Sequence, residues 1–194
     1  MRYTLFSTPI LAPILRVLSK LILKIIRWRV IGALPQEHKK YVLIVAPHTS
    51  NWDFILFVLA VSVLRLKPSV LIKSTLFVGP LGWFVRYCGA IPVNRKQASS
   101  LVNYIADIYA EREEFVLIIT PEGTRSANPN WKLGFHHVAT TAEVPILIFY
   151  VDSAIRTIGI EGLMEPTNDV HADLVKIKTF FDGKSGLRPS NYAS

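Results

Sequence analysis

The chain has 194 residues, with 22 lysines and arginines against 14 acidic residues, a formal charge of +8, 51% hydrophobic residues and a mean hydropathy of +0.34. That length suits one domain with a short additional element, and the apolar content excludes disorder over most of it. A single cysteine excludes an intramolecular disulfide, a cysteine-rich zinc site and an iron–sulfur cluster, and points to a reducing compartment; the surplus of positive charge suits nucleic acid, anionic lipid or a phosphorylated substrate.

The positive charge is concentrated at the start: Arg2, Arg16, Lys20, Lys24, Arg27 and Arg29 all precede the first acidic residue, Glu37. Pro9 and Pro13 argue against one regular helix from the outset. From Ala12 the spacing predicts a helix with Arg16, Lys20, Lys24 and Arg27 on one face and Leu15, Leu18, Leu21, Ile22, Ile25 and Ile26 over the rest. A basic amphipathic helix of this kind lies in a membrane interface with its cations toward anionic head groups, although a surface helix packed on its own domain has the same pattern. The prolines and the continuing charge fit a signal peptide poorly. The longest apolar run, Phe54–Leu64 interrupted by Ser62, is too short to span a bilayer. The expectation is a peripheral or monotopic protein on the cytoplasmic face of the cell membrane.

Past residue 35 the pattern alternates. Residues 41–46 (YVLIVA) read as a buried strand, 52–64 as an apolar helix, 69–72 as a second strand, and 81–87 as a short helix. A brief strand at 90–93 precedes a helix at 99–111. Residues 115–120 (FVLIIT) carry a strong strand pattern, followed by a helix at 132–142, strands at 144–151 and 157–160, and a helix over 170–181. This predicts an α/β fold: a mixed, largely parallel sheet covered by helices on both faces, with the basic amphipathic helix as a membrane-surface arm. The division is an arm at 1–34, an α/β domain at 35–181 and a coil tail at 182–194, the last rich in Gly, Ser, Pro and Asn.

Three strand ends carry polar residues. Strand 41–46 runs into Pro47-His48-Thr49-Ser50-Asn51-Trp52-Asp53, placing a histidine where open α/β sheets bind ligands, with a carboxylate one turn on. A base needs a fixed tautomer, which a carboxylate on the other ring nitrogen supplies. Ser50 to Asp53 also has the form of a helix-capping box, and the two roles are compatible. Strand 90–93 delivers Arg95, and strand 115–120 delivers Glu122-Gly123-Thr124-Arg125. Two arginines match a phosphate through their planar donor forks, while Glu122 with Arg125 also reads as a local ion pair in a turn. Lys73 and Lys132 are further cations at strand ends or turns, suited to phosphate or to simple exposure.

These segments resemble four blocks of the glycerolipid acyltransferase family, which includes the 1-acylglycerol-3-phosphate acyltransferases. The blocks are His48 with Asp53; Gly89, Ile91 and Arg95; Glu122-Gly123-Thr124-Arg125; and Val144-Pro145. Many members carry a second proline in the fourth block, near where this chain has Ile148. The resemblance spans about residues 40–151 and implies acyl transfer from acyl-CoA or acyl carrier protein to a glycerol hydroxyl. It assigns His48 as base, Asp53 as its orienting carboxylate, and Arg95 with Arg125 to the acceptor phosphate. Glu122 would shape the acceptor site or orient Arg125. The expected acceptor is lysophosphatidic acid, with glycerol 3-phosphate or another lysolipid as alternatives, and no metal or cofactor beyond the thioester co-substrate is expected.

The oxyanion of such a reaction needs donors, and backbone N–H groups of the 47–53 or 121–125 turns are candidates. Trp52, Phe77, Leu81, Trp83 and Phe84 suit an acyl tunnel, a lipid surface or ordinary packing. Cys88 reads as a packed thiol, and adjacent His136 and His137 make a poor metal pair. A non-catalytic membrane-binding protein would explain the basic helix but not three polar strand ends. Nucleic-acid binding is disfavoured because the cations interleave with aliphatic residues rather than with a stacking platform. There is no G-x-S-x-G and no phosphate-binding glycine loop; Gly183-Lys184-Ser185 lacks the upstream glycine.

Overall fold

A computed structural model describes residues 3–93 and 98–192. Seven strands form one sheet, β1 (Arg29–Ile31), β2 (Lys40–Ala46), β3 (Pro68–Lys73), β4 (Ala90–Val93), β5 (Phe115–Ile119), β6 (Ile146–Asp152) and β7 (Thr157–Met164). Their order is β1-β7-β6-β2-β5-β3-β4, and every neighbouring pair is parallel except β6 with β7. Six helices accompany it: α1 (Leu11–Ile25), α2 (Asn51–Leu64), α3 (Gly79–Tyr87), α4 (Ala98–Glu111), α5 (Gly134–Thr141) and α6 (Val170–Thr179). The expected mixed α/β architecture is the one observed.

The central strand explains why its sequence is continuously apolar. Tyr41, Leu43 and Val45 pack with Leu23 of α1 and Leu56, Phe57 and Ala60 of α2 on one face. Val42, Ile44 and Ala46 pack on the other with Ile105 of α4, Phe135 and Val138 of α5 and Ile177 of α6. A parallel strand covered on both faces has no solvent side, so alternation disappears. Ile148 sits fully buried in β6, paired with Ile44 at one edge and Gly162 at the other, next to a β-bulge at Ile148/Phe149. The absent second proline of the fourth block is therefore replaced by a central strand residue.

Three features differ from expectation. Residues 29–31, within the arm, form edge strand β1 on β7. The segment is too short to carry a period, and its pairing is supplied from more than 120 residues away. Strand β7 runs on to Met164, past Gly159, Glu161 and Gly162, because backbone pairing with β6 continues where apolar side chains stop. Residues 182–192 are also not plain coil: Pro189–Asn191 forms a 3-10 turn, and the stretch is bonded to the turn that follows β2, as described below.

The N-terminal helix presents a different face from the one its charges suggested. It ends at Ile25, where Trp28 N–H bonds Leu23 C=O at 2.8 Å and Arg27 takes φ 60, a Schellman closure that leaves Arg27 outside the helix. Ser19 and Leu23 are buried and Arg16 is half-buried, with its Nε enclosed. The outward surface carries Ile14, Val17, Leu18, Leu21, Ile22 and Ile25 together with Lys20 and Lys24. Among the described residues, no helix is long and apolar enough to cross a membrane.

Candidate active site

The site lies where the helices leaving two adjacent parallel strands diverge. The chain leaves β2 to α2 on one face, and leaves β5 to α5 on the other. Such a switch point opens a crevice at the strands' C-terminal ends. Register places the motif residues at one level. Leu43 pairs with Ile118, which pairs with Val70, so Lys73, three residues on, is level with Ala46 and Pro121. Lys73 in turn pairs with Val93. His48, Glu122 and Lys73 thus leave the same edge of the sheet within a few strand spacings. Arg95 lies outside the described residues.

A cis Ala46–Pro47 peptide leads into the first turn. His48 Nδ1 stands 3.3 Å from Asp53 Oδ2, with the imidazole 25% exposed and the carboxylate buried. Asp53 Oδ2 also accepts the backbone N–H of Thr49 at 2.5 Å and of Ser50 at 2.7 Å. Ser50 Oγ accepts Trp52 N–H at 3.2 Å, and the turn is a capping box. The same carboxylate therefore starts α2 and faces His48, so the two readings of Ser50 to Asp53 are both realised. The arrangement turns Nδ1 toward Asp53, and among the described residues Nε2 has no protein partner.

Glu122 occupies a place the sequence did not indicate. It is 1% exposed, and its two oxygens accept His48 N–H at 3.0 and 3.2 Å. Burial pushes its carboxyl up to about 7, against the lowering effect of the His48 N–H and ring; the Asp53 charge adds to the rise. Arg125 is exposed, and among the described residues it forms no ion pair with Glu122. The local ion pair is thus replaced by a link 74 residues long between the two motifs.

The second turn is built around Gly123. Its φ of +66 is a left-handed conformation, and a Cβ there would meet Lys132 Cε at 2.8 Å and Cδ at 2.9 Å. Lys132, exposed in general, lays its stem over the motif, and its N–H bonds Pro121 C=O at 2.7 Å. Thr124 Oγ1 accepts Ser126 N–H at 3.3 Å, and Asn128 Nδ2 donates to Glu122 C=O at 2.8 Å. Asn128 was missed in sequence, where only the Asn128-Pro129 turn signal marked it.

The backbone partners decide among oxyanion donors. The N–H groups of His48, Thr49, Ser50, Trp52 and Gly123 are all committed within the protein. The first turn therefore offers little, and among the described residues the backbone amides of Thr124 and Arg125 are the candidates that remain. Burial raises the Cys88 thiol, in line with a packed rather than a nucleophilic cysteine. Among the described residues, no cluster of three His, Cys, Asp or Glu side chains suits a metal ion.

Apolar side chains surround this edge. Trp52 is 68% exposed, and Phe54 and Ile55 beside it are exposed too; on α3, which follows β3, Leu81, Trp83 and Phe84 are also exposed, while Phe77 is half-buried. The stretch before α1 is tied to α3 by Leu5 N–H to Tyr87 C=O at 2.8 Å and Thr8 Oγ1 to Tyr87 hydroxyl at 2.7 Å.

Comparison with known proteins bears on this site. The acyltransferase family model matches residues 27–151. The 1-acyl-sn-glycerol-3-phosphate acyltransferase of Streptococcus pneumoniae (strain ATCC BAA-255 / R6) is 33% identical over 119 residues, 59% of this chain and 42% of that protein. The 1-acyl-sn-glycerol-3-phosphate acyltransferase beta of Homo sapiens is 34% identical over 80 residues, 39% of this chain and 29% of that protein. The chain thus spans less than half the length of these curated relatives. The crystal structure of the 1-acyl-sn-glycerophosphate (LPA) acyltransferase PlsC from Thermotoga maritima superposes with a TM-score of 0.58 over 88% of this chain and 78% of that one; at 12% identity it shows a shared fold. The family match runs through both motif turns, and the chain belongs to the acyltransferase family.

Proposed function

We propose that this protein transfers an acyl group from an acyl thioester to the free hydroxyl of a phosphorylated glycerolipid, with lysophosphatidic acid as acceptor and phosphatidic acid as product. The observation that carries the reading is His48, partly exposed at the switch-point crevice, with Nδ1 3.3 Å from the buried Asp53 carboxylate. In this mechanism Nε2 takes the hydroxyl proton as the alkoxide oxygen attacks the thioester carbon. The tetrahedral oxyanion collapses, the C–S bond breaks, and the leaving thiolate receives the proton from His48. Asp53 stabilises the imidazolium between the two transfers. Glu122 holds the His48 backbone, and Gly123 and Thr124 shape the turn that presents Arg125.

Arg125, with Arg95, takes the acceptor phosphate, and exposed Lys73 and Lys132 add positive potential at the same sheet edge. The donor is acyl-CoA or acyl carrier protein, which offer the same thioester to the base. Membrane attachment follows from the outward apolar surface of α1 with Lys20 and Lys24, and from Leu81, Trp83 and Phe84 of α3. These surfaces suit a bilayer on the cytoplasmic side, from which both lipid acceptor and product need not leave.

The test is release of free thiol from acyl-CoA and from acyl carrier protein, with lysophosphatidic acid, glycerol 3-phosphate and a zwitterionic lysophospholipid as acceptors. Turnover is expected to be fastest with lysophosphatidic acid. Arg125→Lys should raise the acceptor KM and Arg125→Ala should raise it more, because an ammonium does not reproduce the guanidinium fork. A defect confined to the donor curve would assign Arg125 to the thioester carrier instead. No thiol release with any pair would leave membrane binding without catalysis as the better reading.

A further inference from the structure

Thr49 follows His48 directly and is buried. Its C=O accepts Asn191 Nδ2 at 3.2 Å, and its Oγ1 accepts the backbone N–H of Arg188 at 3.1 Å. The Thr49–Ser50 peptide is therefore held at both ends: its C=O by Asn191, and its N–H by Asp53 Oδ2 at 2.7 Å. Gly186 lies against the same side chain, since a Cβ there would stand 2.5 Å from Thr49 Cγ2 and Oγ1. The far end of this stretch is anchored beyond β6. Ser153 N–H bonds Ser185 C=O and Ser153 Oγ bonds Gly186 C=O, both at 2.7 Å. Lys184 Nζ stands 3.2 Å from Glu161 Oε2 and 4.5 Å from the Tyr150 ring centre.

We infer that residues 184–192 form a strap that positions the catalytic turn, with Asn191 as its positioning residue. The inference rests on the reading of His48 as base. Asp53 Oδ2 keeps its 3.3 Å approach to Nδ1 only while the peptides donating to it keep their planes. Asn191 fixes one of those planes from outside the motif, and the Arg188 amide fixes the Thr49 side chain. The strap touches neither donor nor acceptor in this reading. Its loss therefore loosens the base without removing a substrate contact, which lowers turnover rather than affinity.

The experiment compares Asn191→Ala, Thr49→Val and Thr49→Ser with the wild-type chain and with His48→Ala. Both kcat and the two KM values are measured, with melting temperature alongside. Asn191→Ala and Thr49→Val should each lower kcat about tenfold and leave both KM values within about threefold. Thr49→Ser, which keeps the acceptor oxygen, should restore most of the rate. Unchanged kcat in Asn191→Ala and Thr49→Val overturns the strap, as does a rise in KM at constant kcat. If His48→Ala is inactive while the strap variants are fully active, the strap alone falls. If His48→Ala stays active, the base assignment falls and the strap argued through it falls too, and the His48→Ala rate tells this outcome apart from failure of the strap alone.

Discussion

Among the described residues there are two histidine–aspartate pairs, and they differ in almost everything but composition. His48 and Asp53 lie five residues apart, at 3.3 Å, with the ring partly open to solvent at the sheet's C-terminal edge. His136 and Asp173 lie 37 residues apart, at 2.9 Å, with both side chains closed off between α5 and α6. Asp173 Oδ2 also accepts Thr167 N–H at 2.6 Å, and Thr140 Oγ1 stands 3.4 Å from His136 Nδ1. In the second pair both ring nitrogens face protein atoms, so it fastens one helix to another. In the first, Nδ1 faces Asp53 and, among the described residues, Nε2 meets no protein partner. Contact between the two residue types does not by itself mark a catalytic pair; the free nitrogen and the position in the fold are what favour His48 and Asp53 for the proposed role.

The largest effect should separate the pairs by kind. His48→Ala is expected to cut turnover by roughly 10²–10⁴ with little change in melting temperature. Steady-state kinetics on the purified variant, with its melting curve, checks it. Near-normal turnover would erase the functional distinction. His136→Ala should do the reverse. Removing one partner of a buried pair strands the other, at a cost of about 3–5 kcal/mol, while the folded fraction keeps its kcat. Denaturant unfolding together with active-site-normalised rates decides between the two.

Acid sharpens the same contrast. Burial alone would raise the Asp173 carboxyl, but the His136 ring and the Thr167 N–H outweigh it and hold it below the usual range. A carboxyl lowered in the fold stabilises it above the unfolded value, and that stability is lost as pH falls through the folded value. Wild type should therefore lose stability below about pH 4, and Asp173→Asn should show a shallower acid loss from a lower plateau. Unfolding curves at a series of acid pH values read this directly. Equal acid slopes would remove the pair from the account.

The pairs were also unequally legible. His48 and Asp53 are local, and a strand end followed by a capping box is a pattern within seven residues. His136 was read only against His137, because nothing in the sequence joins it to Asp173 across α5 and α6. The same limit hid the role of Glu122. Its motif was plain, but its partner is a backbone N–H in another motif. The sheet's central strands were readable because two-faced burial writes an unbroken apolar run. Edge strand β1 was not, since three residues owe their conformation to β7. The helical period placed Arg16, Lys20 and Lys24 on α1, yet it could not foresee that Arg27 takes the left-handed closure. The tail looked like coil because its order comes from hydrogen bonds to Thr49, about 140 residues earlier.

Glu122 provides the smallest and most specific test, since the His48 backbone rests on a carboxyl whose pH response runs opposite to that of Asp173. Burial pushes Glu122 up to about 7 in the folded chain, whereas an unfolded glutamate titrates near 4.5. Between those values the native state holds the extra proton, so stability falls as pH rises through the window and stays lower above it. Glutamine keeps a carbonyl oxygen for the His48 N–H and carries no titrating proton. Glu122→Gln should therefore match wild type near pH 4.5 and gain on it up to pH 7.5. At about 1.4 kcal/mol per pH unit the ceiling is about 3 kcal/mol, a net figure in which the lowering by the His48 N–H is already contained. Denaturant unfolding of both proteins at four pH values across this range measures the divergence. Parallel stability curves would mean that the carboxyl titrates at its ordinary value and that water reaches the floor of the site. If turnover also holds within a few-fold, Glu122 acts by holding His48 in place, because the proton it exchanges is then not one the reaction uses.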